Sequence, residues 1–428
     1  MNVPESALKH AALGGGGARS RAHAAAASLC GLLAIAGAVT LYLGVQADPV
    51  RAWRIYLVNF LFFTGIGTGG LLFTCVLNMA SGAWGRNVKR AAEGLGLFLP
   101  VSLLLFALMI PGLDDILPWV KHPYGPAWWL DLDFLVVRNL AGLALLAILG
   151  LYIIYLSLRS DFTYALESGQ RPTGALARLL ARNSKGAAHE GAAAGRRLVI
   201  LSPVYTIAFA LVLTVLGVDL IMSLKAKWYS TLIGAYYFVG SFYTSLAALL
   251  VAVIWTRRQF GLYAAIQPRH LHDIAKLCMA FGIVTGDFFY TQLFVIWYGN
   301  LPFETSFVID RLHDTPWRYV GILVLLLCFL LPLVASLRAG LKKRSGPMLV
   351  FGGAVLAAMW MERFLLIGPS IGGSAAIGFG AFEVLLTLGF LGLLGLTFFS
   401  FMARVPAVVL HDPVLDPAGE IGEARDAA

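Results

Sequence analysis

The sequence predicts an all-α polytopic membrane protein of about ten transmembrane helices, and three observations predict it. Of 428 residues, 59% are hydrophobic and only 13% charged. The mean hydropathy is +0.79, far from the range of soluble globular chains. Apolar runs recur from end to end, each of the roughly 20 residues that a helix needs to cross the hydrocarbon layer. A β-barrel would show short alternating segments instead. The net charge of +9 does not indicate nucleic acid, because the basic residues sit in short loops between spans.

Residues 1–25, with GGGG at 14–17, read as a tail. The first apolar run, from Ala26 to Val45, is long enough to remain as a span rather than serve as a cleaved signal. Spans are expected near 26–46, 54–80, 94–112, 133–158, 197–224, 230–256, 271–299, 317–338, 347–367 and 377–402. The transmembrane domain is therefore 26–403, and an acidic, proline-containing tail occupies 404–428. Of the 32 Lys and Arg, 22 lie in the tails and in the loops after the even-numbered spans, which places both termini in the cytoplasm. The largest loop, Arg159 to Arg197, is basic and cytoplasmic on this reading; it is either a solvated loop or a docking surface for lipid head groups or a partner.

A weak repeat divides the domain. WRIYLVNFLFFTG (53–65) and WYSTLIGAYYFVG (228–240) align without gaps. Three spans after each, a proline precedes an acid: Pro203 before Asp219, and Pro347 before Glu362. Two parallel four-helix bundles follow, about 54–224 and 230–367, with the first and last spans peripheral.

Ionisable groups inside spans are the best functional pointers, since each costs about 2.5–3.5 kcal/mol at the bilayer centre. Span seven, within HLHDIAKLCMAFGIVTGDFFYTQLFVIWYGN (270–300), carries Asp273, Lys276 and Asp287. At about 100° per residue, Lys276 and Asp287 share a face but lie about 16 Å apart along the axis. We expect this polar stripe to turn inward, where water or other helices would link it. On the cytoplasmic side stand Glu93, His272, Asp273 and Lys276; on the outer side stand Asp133, Asp219, Glu362 and Glu383; Asp287 lies between. This is the layout of two half-channels meeting at a titratable centre. Arg138 is expected to reach back to Asp131, and Arg363 to pair with Glu383, because neighbours along a helix such as Glu362 and Arg363 do not face each other. His270 and His272 point to different helix faces, a poor metal pair. No histidine lies near a midplane, which argues against intramembrane haem, and Cys30, Cys75, Cys278 and Cys328 are scattered without CxxC, which argues against iron–sulfur clusters and covalent haem. The glycines of GIGTGG (65–70) suit close helix packing, not nucleotide binding.

The motifs VDLIMSLKAKWYSTLIGAYYFVGSF (218–242), HLHDIAKLCMAF (270–281) and QLFVIWYGNLPFET (292–305) occur in that order, after RAWRIYLVN, LVNFLFFTGIGTGG, PWVKHP and AWWLDLDFLVVRN. In this the chain resembles the NrfD/PsrC-like integral membrane subunits of quinone-linked respiratory complexes, and is most similar to the ActF type of alternative complex III, a quinol:cytochrome c oxidoreductase. The resemblance covers about 50 to 402. It implies ten helices in two bundles and no redox centre in this chain. Haem and iron–sulfur clusters would lie in partners, namely c-type cytochromes, an iron–sulfur protein and a second NrfD-like subunit, in a bacterial inner membrane. It implies a proton path through Asp219, His272, Asp273 and Lys276; Asp287, Glu362, Glu383 and Glu93 join that path by depth alone. Lys225 and Lys227 depart from the pattern, making an open outer quinol pocket less certain and suiting an acidic partner domain. Three readings stay open: a proton-conducting scaffold subunit, a quinol-binding subunit using His122, Asp133 and Arg138, and a stand-alone proton-coupled transporter.

Overall fold

The computed structural model describes residues 17–167, 180, 184–226, 228–336, 344–371 and 378–410. Most of both tails, the middle of the Arg159–Arg197 loop (168–179 and 181–183), and Lys227 lie outside the described residues. Ten helices are long and apolar enough to cross a membrane: α1 His23–Ala47, α2 Pro49–Met79, α3 Ala83–Ile116, α4 Leu132–Glu167, α5 Ala187–Leu224, α6 Ile233–Gln259, α7 Pro268–Gly299, α8 Trp317–Val334, α9 Ser345–Ser370 and α10 Ala381–Met402. No strand occurs among the described residues. With ten crossings among the described residues, the start of α1 and the end of α10 fall on one face, here the terminal face; the other is the distal face.

Local sequence explains where the helices start. Asp48 caps α2 by accepting from the Arg51 N–H, with Pro49 in the first turn. Asp131 does the same for α4, accepting from the Phe134 N–H at 2.8 Å. Alanine-rich sequence at the start of α5 favours helix, and α4 and α5 both run on well past the spans expected from hydropathy. Much of what reads as a basic loop is therefore helical: Arg159 of α4 donates twice to Glu190 of α5, at 2.7 and 2.9 Å.

Helices α2–α5 pack as one group and α6–α9 as another. The groups meet along α2 and α6, which are buried along nearly their whole lengths. That contact depends on small residues. A Cβ at Gly65 would come within 2.9 Å of Ser241 Oγ, and one at Gly69 within 2.6 Å of Ser245 Cβ. The GIGTGG run is thus a packing surface, as its lack of a preceding strand suggests. Helices α1 and α10 form a peripheral pair against α2 and α3, crossing where Gly37 faces Gly389. Between α9 and α10 lies an apolar cleft of about 850 Å³, floored by α2 and α6. A wide π-type turn at Leu325–Leu330 in α8 leaves the Cys328 carbonyl to accept from Tyr243 OH of α6 at 2.9 Å.

A Cβ at Gly37 would stand 2.5 Å from Gly389 Cα, backbone that has no side chain to move aside. We expect Gly37→Val to destabilise the protein by about 1–3 kcal/mol, the usual cost of overpacking. Thermal unfolding of the purified protein in detergent checks this; an unchanged midpoint would mean that α1 does not depend on this crossing.

Candidate functional site

The buried charges gather in belts near the two faces. On the distal face, Asp219 of α5 is fully buried and its carboxylate is saturated. It accepts from Arg138 Nε and Nη2 at 2.7 and 2.6 Å, from Asn139 Nδ2 at 2.7 Å and from Trp129 Nε1 at 3.1 Å. The Arg138 guanidinium lies 4.1 Å from the Trp129 ring centre and 4.6 Å from that of Phe134. Arg138 therefore does not reach back to Asp131, as expected from their shared face. The carboxylate across the helix pair offers a bidentate, water-free partner, which wins over an exposed one. Next to this network is a cavity of about 270 Å³ lined by aromatic residues, among them Tyr124, Trp128, Trp129, Trp228 and Tyr229. Tyr124 OH donates to the Ser223 carbonyl at 2.7 Å, and burial pushes its phenol up to about 12, so it stays protonated.

A second distal cluster sits where α9 meets α6. Tyr236 OH donates to Glu362 Oε1 at 2.5 Å, and Arg363 Nη1 donates to Glu362 Oε2 at 2.7 Å. Arg363 also lies over the Tyr237 ring at 4.8 Å. The expected Arg363–Glu383 pair is not formed. The arginine is long enough to curl round its own helix to the neighbouring carboxylate, which the direction of the Cβ atoms alone does not foresee. Glu383 is instead gripped by Arg51 at 2.7 and 2.9 Å and accepts from the Gly380 N–H at 2.7 Å.

Near the terminal face, the sequence reading found Glu93 but missed its partners. Arg90 of α3 is fully buried between Glu93 and Asp161 of α4, and donates to Ser157 Oγ at 3.0 Å and to the Ser157 carbonyl at 3.2 Å. Arg90 had counted only as one more basic residue at the inner edge, and Asp161 fell outside the expected span. The i,i+3 spacing of Arg90 and Glu93 was the available signal.

Span seven overturns the central expectation. Lys276 and Asp287 are exposed, on the side of α7 that faces away from both helix groups. The buried face carries Ile274, Cys278, Gly282 and Thr285 instead, packed on α6 through Phe281 against Phe242 and Gly282 against Tyr243. Thr285 lies about 180° from Lys276 round the helix. Small residues here let α7 approach α6 closely, and that apolar contact fixes the rotation of the helix. Lys276 has Asp273 at 3.9 Å, while Asp287 has no hydrogen bond or ion pair among the described residues. His270 is buried and caps its own helix, its Nδ1 accepting from the Gln267 N–H at 2.9 Å, and His272 is half-buried. His122 and Asp133 are exposed, and neither joins Arg138 by a hydrogen bond or ion pair. The predicted acids thus split into a buried set, Glu93, Asp219, Glu362 and Glu383, and an outward-facing set on α7.

What lies between the buried belts is the α2–α6 contact. Ser241 and Ser245 of α6 face Gly65 and Gly69 of α2 there, and Thr64 and Thr68 of α2 and Thr244 of α6 are also buried at these levels of the two helices. Thr68, Ser241 and Thr244 donate to carbonyls within their own helices, at 2.7–2.8 Å, which leaves their lone pairs free to accept. Thr64 Oγ1, Glu93 Oε1 and Arg363 Nη2 have no protein hydrogen-bond partner. No group of three or more His, Cys, Asp or Glu among the described residues could hold a metal ion.

The sequence was also compared with known proteins. None of the curated proteins matches it. The family model described as "Polysulphide reductase, NrfD" matches residues 45–372, from just before α2 to just past α9. That span takes in both helix groups and the buried charge clusters around Arg90, Asp219 and Glu362, but not Glu383. The chain therefore belongs to the NrfD family, the integral membrane subunits of quinone-linked respiratory complexes, whose members typically partner with iron–sulfur proteins.

Proposed function

We propose that this chain is the ActF-like membrane subunit of a quinol-oxidising complex of the alternative complex III type, acting as scaffold and proton path. Haem and iron–sulfur clusters are assigned to its partner subunits, and the termini to the cytoplasm of a bacterial inner membrane. The observation that carries the proton path is the placement of two buried carboxylate–guanidinium clusters at opposite ends of a hydroxyl-bearing helix contact. Glu93, with one oxygen unpaired, takes the terminal end; Tyr236 and Glu362 take the distal end; Thr64, Thr68, Ser241 and Ser245 lie between. Each hydroxyl can accept one proton while passing on another. The packing is tight where Gly65 and Gly69 meet the serines, so passage requires α2 and α6 to part or admit water. Asp219 and Glu383 belong to distal ion pairs that hold the helices in register. Lys276 and Asp287 lie off this route. Membership of a family of complex subunits speaks against the stand-alone transporter.

The test is made in the intact complex. Glu362→Gln and Glu93→Gln should each lower the number of protons moved per electron at least twofold, with quinol oxidation kept above about half. Proton uptake and release during a quinol pulse measure the first quantity, and cytochrome reduction the second. If both fall together, or neither does, the conduit is elsewhere.

One observation favours direct quinol binding as a second reading: the aromatic cavity beside Asp219 and Arg138. It is at the small end for a flat ring, and its polar lining is Tyr124, Ser223 and Lys225, with the Asp219 network beside it, rather than His122 or Asp133. Under this reading Trp129→Ala should raise the KM for quinol about tenfold and abolish protection by a quinone analogue. An unchanged KM would remove it.

A further inference from the structure

The exposed face of α7 is unlike the rest of the lipid-facing surface. Elsewhere that surface is mostly aliphatic, as at Leu104 and Leu108 on α3, Ile148 on α4, and Ile207 and Leu211 on α5, with a few aromatic residues such as Tyr42 and Tyr319. On α7 the exposed positions include Lys276, Ala280, Ile283, Asp287, Tyr290 and Phe294, at steps of four, three, four, three and four. A repeat of 3.5 residues is the spacing at which one helix follows another in a left-handed crossing. Ala280 offers the small side chain that such a crossing uses.

Depth makes this face costly. The helix has 32 residues and Asp287 is the twentieth, so its Cα lies about 18 Å from one end and 28 Å from the other. In a hydrocarbon layer of about 30 Å centred on α7, that is about 5 Å from the midplane. Lysine can snorkel, and Lys276 has Asp273 beside it, but an aspartate side chain is too short to reach water from there. Nothing among the described residues neutralises it.

We infer that this face of α7 is covered by a transmembrane helix of a different polypeptide, which presents a lysine or arginine at the depth of Asp287. A second copy of this chain does not fit. Copies oriented alike in a membrane are related by an axis along its normal, so Asp287 would meet Asp287 and Lys276 would meet Lys276 at equal depths. Like charges opposed in a low-dielectric layer repel strongly. A basic side chain from another chain resolves the charge, and the aromatic run Tyr290, Phe294 and Tyr298 extends the contact toward the distal face. The rings of Tyr290 and Tyr298 each stack on Phe294, with centroids 6.1 and 6.3 Å away. This interface is on the outward face of α7, whereas the distal cluster of the proton path meets the inward face of α7, where Tyr236 lies against Phe289.

The experiment places a photoactivatable phenylalanine analogue at Ile283 or Tyr290 in native membranes, with Leu104 and Ile148 as controls. Both α7 positions should join to one and the same other polypeptide, within an apolar segment that carries a Lys or Arg within one turn of the joined residue. The controls should yield no such product. Asp287→Arg should then lower co-purification of that polypeptide at least tenfold, and exchanging its basic residue for aspartate should restore it. Asp287→Asn, which keeps the volume, should weaken it several-fold while the isolated chain elutes unchanged. Adducts made only of this chain, no protein adduct, a partner segment without a basic residue, or unaltered co-purification of the Asp287→Arg chain would each overturn the inference.

Discussion

The molecule depends on one contact: the close approach of α2 and α6, made by Gly65 and Gly69 against Ser241 and Ser245. In a membrane there is no hydrophobic drive to bring helices together, so packing and small side chains must do it. Because α2 is apolar on every side, it can be enclosed by its neighbours on all sides and serve as the hub of both helix groups. The same small residues that allow the approach leave hydroxyls, not bulky hydrocarbon, at mid-depth. Tight assembly and a polar interior have here a common origin.

The charges follow a second rule, that an ion taken out of water must be paired and hydrogen-bonded. Asp219 receives four donors, and Arg90 is held by two carboxylates and a serine. Such saturated groups are poor candidates for exchange, since every proton they take up must break a short ionic contact. Glu362 and Glu93 differ in degree: one is held partly by a neutral phenol, and the other has an oxygen to spare. That asymmetry separates the acids that brace the fold from those that could carry protons.

Much of this was legible in the sequence, for reasons that can be named. Hydropathy found all ten helices because bilayer thickness imposes their length. Depth alone found Glu362 and Glu383, and the family resemblance found Asp219, all of which are buried. Partnerships were not legible. Arg138 chose Asp219 across a helix pair over Asp131 on its own helix, and Arg363 chose its immediate neighbour, since both choices are settled by tertiary packing rather than by spacing. The α7 stripe failed for a more general reason. The rule that intramembrane charge turns inward applies to the complete assembly, and the interior of a complex includes the seams between its chains. Periodicity shows that a polar face exists, not which body it faces. Arg90 is not legible because a basic residue near an edge reads as solvent-exposed, and Asp161 is not because α4 runs past the expected end of its span.

The helical extensions of α4 and α5 have a mechanical consequence. The two helices are clasped near both ends, by Arg138 with Asp219 and by Arg159 with Glu190. The clasps are about 32 Å apart along α4, at 1.5 Å per residue. Two antiparallel rods fastened at both extremities behave as a single strut: neither can slide or twist without its mate. A load applied to the protruding end therefore reaches the aromatic chamber beside Asp219 through both helices together, with Pro203 of α5 the one interior proline along the way.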